Sequence, residues 1–130
     1  YTYRLINYYI FDNALTMPDI TLGQPQKTWA YCLWYHELQS KGTFCTIHLN
    51  KNWICRQWFV NVLAHEMVHQ WQWDVYRPTK NPNYNKYTHE SLAHGPSFFS
   101  WRDTFAEHSM CLKRTFGQRR WFKHQNFNKC

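Results

Sequence analysis

Leu63-Ala64-His65-Glu66-Met67-Val68-His69 is the stretch on which the reading of this chain turns. Two histidines four residues apart on a helix project from one face, a turn apart, so both imidazoles can grip one metal ion. The carboxylate of Glu66, next to the first histidine, can reach past such an ion and deprotonate a water bound to it. The flanks support a helix from about Trp53 to Trp73, with Asn50 or Asn52 as its cap. Trp58, Val62, His65 and His69 follow steps of four, three and four and share one stripe; Phe59, Val62, Glu66 and Met67 form an adjoining one. The ligands therefore grow from a face that otherwise packs against the rest of the fold, which holds them rigid.

A catalytic zinc site takes three protein donors and keeps a fourth position for water. Three side chains compete for the third place. His94 leads, because it opens His94-Gly95-Pro96-Ser97-Phe98, where proline in the first turn signals a new helix. Glu90 is second: a carboxylate roughly twenty residues past the second histidine serves in thermolysin-like enzymes, although their Asn-Glu context is missing here. His89 is third. The compact metzincin pattern fails, because Gln72 and Val75 stand where it needs glycine and histidine. His36, His48, His108 and His124 read as structural or surface residues.

Outward from the motif, residues 3–15 read as a helix that Pro18 prevents from continuing. Residues 19–22, 28–35 and 43–49 read as strands, the last two rich in aromatic and β-branched types. In the third, Cys45, Ile47 and Leu49 alternate with Phe44, Thr46 and His48, giving one apolar face. Residues 76–90, with Pro78, Pro82 and several asparagines, read as a loop. A last helix is expected from Pro96 to just before Gly117, with Phe98, Trp101, Phe105, His108 and Leu112 on its inner face. Residues 118–130 form a basic, aromatic tail. The expected fold class is α+β: a small zincin-like domain with an N-terminal helix, a short three-stranded sheet, the motif helix, and a following helix that carries the third ligand. All 130 residues fit one domain.

The bulk composition narrows the partners. Aromatic residues make up 20% of the chain, so a small domain can fill its core but must leave some of them near the surface. The net charge of +7 attracts polyanions. Lys113, Arg114, Arg119, Arg120 and Lys123 are the candidate contacts to nucleic acid, single-stranded or duplex, with Trp71, Trp73 and Trp121 as stacking platforms. Five cysteines without a CxxC pair argue against a cysteine-rich structural zinc site and suggest a reduced, intracellular setting; Cys32 and Cys45 could pair in an oxidising one. No apolar run is long enough to span a membrane and no signal peptide is visible. A monomer without a membrane partner is expected.

The paired signature, His-Glu-Met-Val-His followed after a loop by His94-Gly95-Pro96-Ser97-Phe98, resembles that of the SprT-like (Spartan-like) zinc metallopeptidase domains. The order of elements over roughly residues 5 to 115 is similar as well, including Pro18-Asp19-Ile20-Thr21-Leu22 and Ile47-His48-Leu49-Asn50. The resemblance implies Zn2+ held by His65, His69 and His94, with Glu66 as the catalytic glutamate. It implies peptide-bond hydrolysis on protein substrates, including proteins associated with DNA. These 130 residues do not include the cysteine-rich zinc ribbon that some relatives carry. The small, aromatic-rich form suggests a phage or viral source. The competing readings are a nucleic-acid-binding or virion structural protein with a structural zinc site, and a metallohydrolase for a non-peptide substrate. Glu66 speaks against the former, because a structural site has no need of that carboxylate.

Overall fold

A computed structural model describes residues 1–23, 30–34, 45–51, 53, 55–76 and 94–114. These residues form a small α+β arrangement. Helix α1 (Thr2–Tyr9) leads to strand β1 (Asp19–Gly23), then β2 (Ala30–Trp34) and β3 (Cys45–Asn50). Helix α2 (Arg56–Trp71) follows and widens into a π-helical turn, Gln72–Tyr76. Two short helices, α3 (Pro96–Phe99) and α4 (Arg102–Glu107), complete the described order.

The first helix is shorter than its periodicity suggested. Tyr3, Ile6 and Asn7 face the core, but α1 ends at Tyr9. The chain then reverses through Asp12 and Asn13, which take φ of 53° and 60°. Asx residues adopt this left-handed region more readily than most. The reversal is clipped by Asn7, whose amide donates to the carbonyl of Leu15 at 2.8 Å and accepts from its N–H at 3.2 Å. One side chain thus closes two backbone groups that the reversal would otherwise bury unsatisfied.

Strand β3 is the middle of the sheet. It pairs in parallel with β1, Ile20 opposite Ile47 and Leu22 opposite Leu49, and antiparallel with β2, Cys32 opposite Ile47. The alternation of β3 is borne out: Cys45, Ile47 and Leu49 are buried in the core with Leu63, Met67 and Val68 of α2. On the other face His48 stacks on Tyr31 with ring centroids 4.5 Å apart. The thiols of Cys32 and Cys45 lie 2.8 Å apart on neighbouring strands without a disulfide between them. Cys111 is disulfide-bonded, which the expectation of a reduced setting did not include.

The expected long last helix is broken. It stops at Ser100 and again at Glu107, where Ser109 takes φ of 57°. Phe98 and Phe105 are buried as expected, but His108 is exposed, and Leu112 reaches the core from beyond the helix. The break is useful to the fold. It lets the backbone N–H of Cys111 bond the Asn61 amide of α2 at 2.6 Å, which a continuous helix would forbid. No helix among the described residues is long and apolar enough to cross a membrane.

Asn7→Ala exposes the importance of the clip. Two buried backbone groups lose their partner, so the variant loses about 2–3 kcal/mol of stability. A urea titration checks this; an unchanged midpoint would show that the turn holds itself.

Candidate metal centre

Helix α2 is buried without interruption from residue 61 to residue 70. Its polar side chains therefore need partners inside the protein. His65 and His69 lie on this stretch at the predicted spacing, and their ring centroids are 4.9 Å apart. Glu66, between them, is 7% exposed.

The third histidine arrives from a different element. Gly95 caps α3 in an extended conformation and Pro96 starts it, so His94 stands just ahead of a tight turn of helix. Its Nε2 lies 3.2 Å from Nε2 of His69 and 3.4 Å from Nε2 of His65. The three rings form a cluster whose donor atoms all lie within 4.8 Å of one another. The structure thus brings His65, His69 and His94 together. Glu90 and His89, the competing third ligands, lie outside the described residues.

Two hydrogen bonds set the tautomers. Nδ1 of His65 lies 2.9 Å from the carbonyl of Lys113, and Nδ1 of His69 lies 2.8 Å from Oε1 of Gln72. Both partners can only accept, so each Nδ1 carries the proton and each Nε2 keeps its lone pair. Those bare nitrogens are the ones that converge. Burial holds the pKa of His65 well below its ordinary 6.5; the His69 and His94 rings push the same way, and the bond to the Lys113 carbonyl opposes them. A metal ligand must be a neutral imidazole, so the environment favours the ligating form.

The two separations from His94 suit a tetrahedral cation. Two nitrogens bound at 2.0–2.1 Å to a tetrahedral zinc lie about 3.3–3.4 Å apart. The two distances from His94 straddle that separation. The cluster offers three imidazole nitrogens, and these three residues could hold a metal ion.

Phe98 is the residue whose role the sequence concealed. It is fully buried, and its ring centroid sits 4.8 Å from His65, 4.9 Å from His69 and 4.9 Å from His94. It packs against all three imidazoles and restricts their rotation. A phenylalanine at an inner helical position reads as core, and no sequence signal separates it from one. Gln72 is a second such residue; its position had served only to exclude the metzincin pattern.

The candidate nucleic-acid residues divide. Lys113 is half-buried and its carbonyl contacts His65, while Arg114 is exposed next to it. Arg119, Arg120 and Lys123 lie outside the described residues, with Trp121 and the rest of the tail. Trp73 is buried and Trp71 is half-buried against Trp101, so neither is an open stacking platform. The carboxylates of α4, Asp103 and Glu107, are exposed. An open cavity of about 600 Å³ lies at the start of α2, lined by Leu22, Trp53, Arg56 and Phe59 among others, and none of the three histidines borders it.

A search of protein-family models and of curated protein sequences finds no match to this chain.

The neutral His65 ties stability to pH. Above about pH 6.5 the ring is neutral in the folded and the unfolded chain, and its contribution is fully present. Below that value the unfolded chain takes up a proton that the folded chain refuses, so stability falls toward the depressed folded pKa. The metal-free protein should therefore lose urea resistance between pH 7 and pH 5, and His65→Gln should lose less over the same range. Equal losses in both proteins would remove His65 as a cause.

Proposed function

We propose that the protein is a zinc-dependent endopeptidase of the SprT-like type that hydrolyses peptide bonds in proteins, including proteins bound to DNA. The observation that carries this reading is the convergence of the Nε2 atoms of His65, His69 and His94, with Glu66 following the first of them on the same buried helix. A nitrogen-only donor set beside a carboxylate that the donor set does not include has the composition of a hydrolytic centre.

Zinc, when bound by these three histidines, supplies a Lewis acid that polarises a carbonyl and eases the ionisation of water. Glu66 is the general base: it accepts the proton of the attacking water and passes it to the leaving amine. The Lys113 carbonyl and the Gln72 amide hold Nδ1 of His65 and His69, so both rings present Nε2 throughout. Phe98 packs against all three imidazoles and holds their rings in place.

Support for DNA-associated substrates is separate. The chain carries +7 net charge, and Lys113 and Arg114 lead from the histidine cluster into the basic segment. A polyanion attracted by this charge would carry with it the proteins bound to it.

Zinc-loaded protein incubated with a basic DNA-binding protein tests both parts, with and without single-stranded DNA. Glu66→Gln should keep stoichiometric zinc and lose cleavage by about 10²-fold or more. DNA should stimulate the wild type. Stimulation absent would remove the DNA part and leave the peptidase. One zinc per chain with no cleavage by either protein would leave a structural zinc centre in a binding protein as the better reading.

A further inference from the structure

We propose that Gln72 is a positioning residue of the metal centre, a single amide that fixes the ring of His69 and at the same time anchors the segment carrying His94. The inference rests on the metal-binding reading of the histidine cluster and goes beyond it, because it concerns how two separate elements are held in register.

Gln72 is 3% exposed and opens the π-helical turn that follows α2. A glutamine amide offers one acceptor and two donors in a fixed plane. Its Oε1 accepts from Nδ1 of His69 at 2.8 Å. Its Nε2 donates to the hydroxyl of Ser97 at 2.9 Å. Ser97 lies in α3, one turn beyond His94. The amide therefore bridges the two ligand-bearing elements, with the acceptor on one side and the donor on the other.

The bridge has two chemical effects. The bond to His69 keeps the proton on Nδ1 and leaves Nε2 as the ligating atom. The bond to Ser97 holds α3 against the end of α2, which keeps Nε2 of His94 within 3.2 Å of Nε2 of His69. Helix α3 spans only Pro96–Phe99, so its own hydrogen bonds do little to place it. Its placement depends on side chains, of which Phe98 provides packing and Ser97 provides direction.

Leucine at position 72 fills the volume but offers no polar group. Glutamate keeps the acceptor for His69 and can accept from the Ser97 hydroxyl, so it preserves both links. Alanine at position 97 cuts only the α3 link.

The test measures zinc affinity by competition with a chromophoric chelator, together with the 15N signals of the His69 imidazole in metal-free protein. Gln72→Leu should bind zinc about 10–100-fold more weakly than the wild type, the cost usual for groups that orient ligands. Its His69 ring should show a mixture of tautomers where the wild type shows the Nδ1–H form. Gln72→Glu should restore the single tautomer and affinity at least equal to the wild type. Ser97→Ala should keep the His69 tautomer and still lose affinity. Gln72→Leu with wild-type affinity and tautomer overturns the proposal while leaving the metal centre intact. Should that variant fail to fold, wild-type affinity in folded Ser97→Ala overturns the link to His94, and a mixed tautomer in Gln72→Glu overturns the link to His69. A wild type with no zinc affinity overturns the metal-binding reading and this inference together.

Discussion

The burial of α2 is the constraint on which the rest depends. Ten consecutive helical residues sealed from water leave no solvent to satisfy their polar side chains. Each must be answered by protein, and the answers come from different parts of the chain. Gln70 accepts from the hydroxyl of Tyr3 and donates to the carbonyl of Thr16, which binds α1 and the chain ahead of β1. Asn61 bonds the backbone of Cys111, and His65 bonds that of Lys113. Just past the buried run, Gln72 reaches Ser97. The helix is both the core of the fold and the point at which its segments are tied.

That arrangement also places the histidine cluster. A metal centre assembled from two elements is only as well defined as the contact between them. Here α2 meets the sheet through Leu63, Met67 and Val68, and meets α3 through Phe98 and the Gln72 bridge. The hydrogen bonds that satisfy buried imidazoles also choose their tautomers. Stability and site geometry therefore rest on the same bonds, and a substitution that disturbs one disturbs the other.

The motif helix and the inner face of β3 were legible in the sequence because both are periodic. His65 and His69 stand one turn apart, and the apolar residues Cys45, Ile47 and Leu49 alternate with Thr46 and His48. The early end of α1 was less legible. The residues beyond Tyr9 carry no breaker before Pro18, and the event that stops the helix is a side-chain clip from Asn7 to Leu15, eight residues away. The break in the last helix has a similar cause: Cys111 is drawn to Asn61 of a distant element. His94 could be ranked above Glu90 and His89 by its place before Gly95-Pro96, but its closeness to His69 is a tertiary fact. Gln72 and Phe98 had no visible signal, since one looks like an ordinary polar helix residue and the other like core.

X-ray absorption at the zinc edge, on protein loaded with one equivalent of zinc, reads directly whether three histidines from two elements form one centre. The expected spectrum shows direct ligands of nitrogen and oxygen alone at about 2.0–2.1 Å, with the more distant scattering of three imidazoles. That pattern should fall to two imidazoles in His94→Ala. A sulfur shell at about 2.3 Å, or an imidazole count that His94→Ala leaves unchanged, would contradict it.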